Sequence, residues 1–124
     1  MSASPDSFVY NAVLDRVIDG DTIDVTLDLG FDIKLHKQRV RLAGIDTPES
    51  RTRNLAEKAL GLKAKDRLIE ICTSETLQIK SLGKGKYGRI LGVPYVDGED
   101  VCQKLIDEDH AVEYWGGTKT KIWG

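Results

Sequence analysis

Arg41, Asp46 and Glu49 fall together in the stretch 39–49, a guanidinium and two carboxylates threaded among apolar Val40, Leu42 and Ile45. Paired carboxylates suit a hard cation and a guanidinium fork suits a phosphate, so the set fits a metal ion and a phosphate at one place. Pro48 has no backbone N–H and pushes Thr47 towards extended backbone. A buried strand should therefore stop at about Asp46. That stop leaves Arg41, Asp46, the Thr47 carbonyl and Glu49 at one strand end.

Two further segments carry polar groups that could join them. Asp19-Gly20-Asp21-Thr22 reads either as a hairpin turn or as a carboxylate-bearing metal loop. Lys86-Tyr87-Gly88-Arg89 reads either as a solvated basic loop or as a phosphate contact, and it lacks the spacing of a Walker loop. Asp46-Thr47-Pro48-Glu49 could itself be no more than a strand exit leading to a helix.

The elements that must position these groups follow from periodicity. Phe8–Arg16 and Thr22–Leu29 read as strands about the Asp19-Gly20 turn, the second alternating Ile23, Val25, Leu27 and Leu29 against polar residues. Ile33–Leu42 is a third strand. Residues 54–72 switch to helical period, with Asn54 and Glu57 resembling a capping box. Leu60, Ala64, Leu68 and Ile71 form the core face of that helix, flanked by Leu55, Ala59 and Cys72. Thr76–Ser81 and Arg89–Val96 complete five strands, and Pro94 implies an edge or a bulge in the last. Val101–Glu108 is a short second helix with Val101, Leu105 and Ile106 inward, and Ala111–Trp115 is a final extended piece. Five strands with a helix between the third and fourth is the order of a five-stranded Greek-key barrel of the OB type, an α+β fold that often binds oligonucleotides.

Composition narrows the classes. The chain of 124 residues is one domain's length, with residues 1–7 a frayed tail, 8–115 the barrel domain and 116–124 a C-terminal tail. No apolar run approaches the roughly 20 residues that span a bilayer, so no membrane partner is expected. The start has no leader pattern, which places the protein in the cytoplasm as written, or outside the cell if a leader has been removed. Cys72 and Cys102 read as two reduced thiols and, with His36 and His110, make no zinc spacing. A net charge of −2 argues against a plain basic coat for nucleic acid. Its distribution is uneven, with Asp15, Asp19, Asp21, Asp24, Asp28 and Asp32 crowding the first third. Basic groups follow at 34–53 and again at Lys80, Lys84, Lys86 and Arg89.

Taken jointly and in this order, Ile18-Asp19-Gly20-Asp21-Thr22, Arg41 with Ile45-Asp46-Thr47-Pro48-Glu49, and Tyr87-Gly88-Arg89 resemble the motifs of the staphylococcal nuclease (thermonuclease) family, over about Val13 to Trp115. The resemblance implies that Asp21, Asp46 and the Thr47 carbonyl bind Ca²⁺, with Mg²⁺ as the alternative ion. It implies that Glu49 is the general base, that Arg41 and Arg89 clamp phosphate, and that Tyr87 contacts the nucleotide. Lys84 and Lys86 are the expected basic contacts beside it. Two features depart from the family: Gly85 stands where an aspartate is common, and Gly116–Lys121 leaves no room for the prototype's third helix. Ile122 and Trp123 are expected to fold back over the barrel surface that helix would cover, keeping the protein a monomer.

The expected activity is metal-dependent hydrolysis of phosphodiester bonds in DNA, and in RNA as well, with low sequence specificity and 3′-phosphate products. The rival reading is a non-catalytic OB module that binds single strands, and a bland interaction domain is the third. A pure binding module has no need of Asp21, Arg41, Asp46, Glu49 and Arg89 at once.

Overall fold

Alternating β-branched and polar residues give three long strands that fold back on one another in sequence: β1 (Val9–Asp19), β2 (Thr22–Gly30) and β3 (Ile33–Leu42). The structure, a computed structural model, describes residues 8–84, 88–116 and 123. After β3 come β4 (Ile45–Asp46), α1 (Leu55–Cys72), β5 (Gln78–Lys84), β6 (Ile90–Val96), β7 (Glu99–Asp100), α2 (Val101–Asp107) and β8 (Val112–Glu113). The β1–β2, β2–β3, β5–β6 and β1–β5 ladders are antiparallel. A parallel pairing of Val40–Leu42 with Ile90–Gly92 joins β3 to β6 and closes the five long strands into a barrel. Closure removes the open edges that a sheet of this size otherwise exposes. This is the expected OB-type barrel, with two helices among the described residues.

Ile23, Val25, Val40, Leu42, Leu77 and Ile79 share one buried core with Leu68 and Ile71 of α1 and Leu105 of α2. Cys72 and Cys102 are free and lie in this core, where burial pushes each thiol up to about 12. Both are protonated at neutral pH and so are poor nucleophiles and poor metal ligands. No described helix is long and apolar enough to cross a membrane.

Several expectations need correction. The strand through 40–46 is interrupted at Ala43-Gly44. Gly44 has a φ of +76°, and its carbonyl accepts from the Tyr114 amide as β8 docks on β4. The buried stripe of α1 is Gly61, Ala64, Leu68, Ile71 and Cys72, while Leu60 and Leu55 face outward. The stripe is displaced because the N-terminal half of the helix meets loop backbone rather than side chains, as described below. Leu29 is also exposed, since residues 28–35 form a β2–β3 hairpin that projects beyond the barrel. For Pro94, which is buried, the edge alternative holds and the bulge does not. It lies past Gly92, where β3 has left β6, so its missing N–H faces no third strand. Of the expected C-terminal clasp only Trp123 is described, half-buried with its indole nitrogen shielded from water. Ile122 and the tail 1–7 lie outside the described residues.

Two carboxylates tie the fold together through ion pairs. Glu108, just beyond α2, accepts from Arg67 of α1 at 2.6 and 3.0 Å, and Asp24 accepts from Arg39 and Arg16 at 2.9 to 3.2 Å. The hydrogen bonds from Arg67 hold the Glu108 carboxyl below its usual range, and those from Arg39 do the same for Asp24. A carboxylate whose folded pKa is depressed adds stability above its unfolded pKa and loses it as pH falls through the folded one. The unfolding midpoint is therefore expected to fall between about pH 5 and pH 3, and less steeply in Glu108→Gln. Calorimetry of both proteins across that range checks this, and parallel profiles would count against it.

Candidate active site

Four strand ends meet at one rim of the barrel. Asp21 sits in the β1–β2 turn, Arg41 near the end of β3, Asp46 at the end of β4 and Arg89 just before β6. The register makes them converge, because Thr22 pairs with Arg41 across β2–β3 and Arg41 pairs with Leu91 across the parallel closure. Together with Thr47, Pro48, Glu49, Asp19, Thr22 and Arg51 they line a cleft of about 230 Å³.

Arg41 is anchored before any substrate arrives. Its two terminal nitrogens donate to the carbonyls of Leu42 at 2.6 Å and Ile45 at 2.8 Å, and Nη2 lies 3.5 Å from Asp21 Oδ2. The guanidinium is thereby fixed across the Ala43-Gly44 interruption, with N–H donors left over for an anion. Asp21 is oriented in turn. Its Oδ1 accepts from the Thr22 hydroxyl at 3.0 Å and its backbone carbonyl accepts from Leu42 N–H at 2.8 Å.

The segment 45–50 is buried at every position except Glu49, whose side chain is exposed. Three contacts hold it. Ser50 donates to Asp19 through its hydroxyl and its amide, tying this segment to the β1–β2 turn. The Glu49 amide donates to Glu57 Oε2 of α1 at 2.9 Å. Gly61 of α1 lies so near the Glu49-Ser50 peptide that a Cβ there would fall 2.4 Å from the Glu49 carbonyl oxygen. Gly20 is needed for a similar reason, since a Cβ on it would lie 2.8 Å from that of Ala64 and 3.1 Å from Thr47 Oγ1. Turn, loop and helix thus nest through backbone, and Glu49 projects into the cleft from a rigid base.

The capping-box reading of Asn54 and Glu57 holds by half. Asn54 caps α1 by accepting from the Glu57 amide at 3.0 Å, but the Glu57 carboxylate reaches Glu49 instead of returning to its own helix start. The Asn54 amide donates to Thr52 Oγ1.

Asp21 and Asp46 with the Thr47 carbonyl would form an all-oxygen donor set, the kind that hard cations such as Ca²⁺ or Mg²⁺ take. Among the described residues no three His, Cys, Asp or Glu side chains gather as a metal cluster. A cation here would be held by two carboxylates, a carbonyl and water, and this donor chemistry fits it. Lys84, at the exposed end of β5, does not line the cleft, and Lys86 and Tyr87 lie outside the described residues. Sequence reasoning assigns no individual site role to Asp19, Arg51, Glu57 or Gly61: Asp19 enters only as part of the 19–22 turn or metal loop, the capping reading absorbs Glu57, and no local pattern marks Gly61.

The family of staphylococcal nuclease homologues matches residues 39–121, a span that takes in Arg41, Asp46, Glu49 and Arg89. The SPbeta prophage-derived endonuclease YokF and endonuclease YncB, both of Bacillus subtilis (strain 168), are each 39% identical over 103 residues, 81% of this chain and 33% and 46% of theirs. Thermonuclease of Staphylococcus intermedius is 36% identical over 95 residues, 75% of this chain and 53% of its own. The chain thus spans from a third to about half of these relatives' lengths. With the barrel and the cleft in place, these matches establish that the chain belongs to the staphylococcal nuclease family.

Proposed function

We propose that this domain is a metal-dependent endonuclease that hydrolyses phosphodiester bonds of DNA and RNA with low sequence specificity and leaves 3′-phosphates. The observation that carries the reading is the single cleft in which exposed Glu49 stands with Arg41, Arg89, Asp21 and Asp46. The printed names of the relatives, endonuclease and thermonuclease, point the same way.

Glu49 reaches solvent, so a water can sit against its carboxylate, which can receive the proton that the water gives up. The water oxygen bonds to phosphorus as the bond to the 5′-oxygen breaks, and that oxygen takes a proton from solvent. Products are then a 3′-phosphate and a 5′-hydroxyl. Charge building on the non-bridging oxygens is met by the planar forks of Arg41 and Arg89, and one such donor is commonly worth about 3 to 4 kcal/mol. Asp21, Asp46 and the Thr47 carbonyl would hold the cation, which supplies Lewis acidity when bound.

Cleavage of labelled single-stranded DNA and RNA is expected with Ca²⁺, more weakly with Mg²⁺, and not at all in excess chelator. Ca²⁺ should also raise the unfolding midpoint, and Asp46→Asn should abolish that rise. Full activity in chelator would remove the metal site, and activity confined to Mg²⁺ would overturn the calcium assignment. Binding without cleavage under any of these conditions would return the protein to the binding-module reading.

A further inference from the structure

The catalytic cleft is too small for a polymeric substrate. At about 230 Å³ it falls below the roughly 300 to 1,000 Å³ of ordinary small-ligand pockets, room for the reacting phosphate and part of one nucleotide. Arg89 lies on its wall and also on the wall of a second, larger groove of about 750 Å³, formed with Arg16, Asp24, Lys37, Arg39 and Gly88. The two hollows adjoin through Arg89.

We propose that this groove is an extended subsite for the phosphodiester backbone of a single-stranded substrate, carrying the strand away from the reacting phosphate along Arg89, Arg39, Arg16 and Lys37. The inference rests on the nuclease reading for its direction, though binding to the groove can be measured without catalysis.

Four cationic side chains and one carboxylate line the groove, in a chain whose net charge is −2. A local excess of positive charge against an acidic whole is what steers a polyanion to one path. The carboxylate is used internally. Asp24, with its side chain only 12% exposed, accepts from Arg39 through Nε and Nη2 and from Arg16 through Nε. One buried anion thus pins two guanidiniums on β1 and β3, the strands either side of β2, and each guanidinium has more N–H donors than its bonds to Asp24 use.

Lys37 adds an independent observation. Val25 pairs with Gln38 and Leu27 with Leu35, so His36 and Lys37 together oppose the single residue Thr26, a bulge in β3. Lys37 takes a φ of +55°, a conformation that L side chains rarely adopt. Bulges re-aim side chains, and strain of this kind gathers where a site requires it. Here it accompanies a lysine on the groove wall.

The test compares binding in the Glu49→Gln background, which keeps oligonucleotides intact. Fluorescent single strands of about 3 and about 12 nucleotides are titrated at several salt concentrations, with and without the added pair Arg16→Gln and Lys37→Gln. Arg39 is left in place so that Asp24 keeps a partner. The longer strand should bind about fivefold to tenfold more weakly to the altered protein, with a salt slope lower by about 1.4, roughly 0.7 per lost phosphate contact. The shorter strand should bind equally to both. Equal weakening of the two strands, or of neither, overturns the subsite. Lys37→Gln alone serves if the double variant does not fold, with half the change in slope. Failure of the protein with Glu49 intact to cleave either strand would remove the nuclease reading and leave this comparison standing.

Discussion

Glu49→Gln is expected to lower turnover by about 10² to 10⁴ while leaving substrate affinity nearly unchanged. The amide keeps the shape of the carboxylate and its exposure in the cleft, but it cannot accept a proton from water. The neighbouring backbone should not move, because the contacts that fix residue 49 are made by its amide and carbonyl, to Glu57 and against Gly61. Affinity should hold because Arg41 and Arg89, the proposed phosphate grips, are left unchanged. Single-turnover rates with the variant and the parent protein decide it, together with the dissociation constant for an uncleaved oligonucleotide. A rate within about threefold of the parent would assign the proton to another group and remove Glu49 as the base.

Gly61→Ala should damage both the fold and the site, although alanine is the better helix former by roughly 0.5 to 1 kcal/mol. The new methyl would lie 2.4 Å from the Glu49 carbonyl oxygen and 2.5 Å from its carbon, and both belong to backbone that is anchored on its other side by Asp19 and Ser50. Neither the helix nor the loop can yield by swinging a side chain. Overpacking of this kind costs about 1 to 3 kcal/mol, which outweighs the gain in propensity. Relief requires α1 and the 46–50 segment to part, and a displacement near 1 Å at a catalytic group can cost about 10² in rate. The unfolding midpoint and turnover are therefore expected to drop together. Glu57→Gln, which keeps an oxygen for the Glu49 amide, should change both far less. A midpoint at or above that of the parent with full turnover in Gly61→Ala would show that the close approach does not set the loop.

The chemistry of the site was legible because it is written in short segments. Asp21, Asp46, Thr47 and Glu49 each stand within two residues of one whose backbone habit is known, glycine in one turn and proline in the other. Strand and helix order followed from periodicities of 2 and 3.6 residues, and these suffice to name a five-stranded barrel with an inserted helix. What periodicity does not encode is which residues lie opposite one another after closure. The Thr22–Arg41 pairing belongs to a local β2–β3 ladder, but the Arg41–Leu91 pairing, which brings Arg89 to the same rim, depends on the parallel contact of β3 with β6, between segments far apart in the chain.

The first half of α1 marks the division most sharply. An apolar pattern alone puts Leu60 on the core face and makes Glu57 a capping residue, since local hydrogen bonding and hydrophobic period are all that a linear reading can weigh. In the folded protein the helix meets the Glu49-Ser50 peptide at a distance only glycine permits, so the stripe shifts to Gly61 and Glu57 turns outward to the loop. Asp24 tells the same story on the opposite wall. By sequence it is one carboxylate among several in an acidic stretch, and only the strand register sets it between Arg16 and Arg39. The sequence by itself determined which functional groups the protein has and the elements that carry them, because those depend on residue type and near neighbours. Tertiary structure alone decided which backbone holds Glu49 and which cations share a groove, because those depend on contacts between strands and a helix brought together only when the barrel closes.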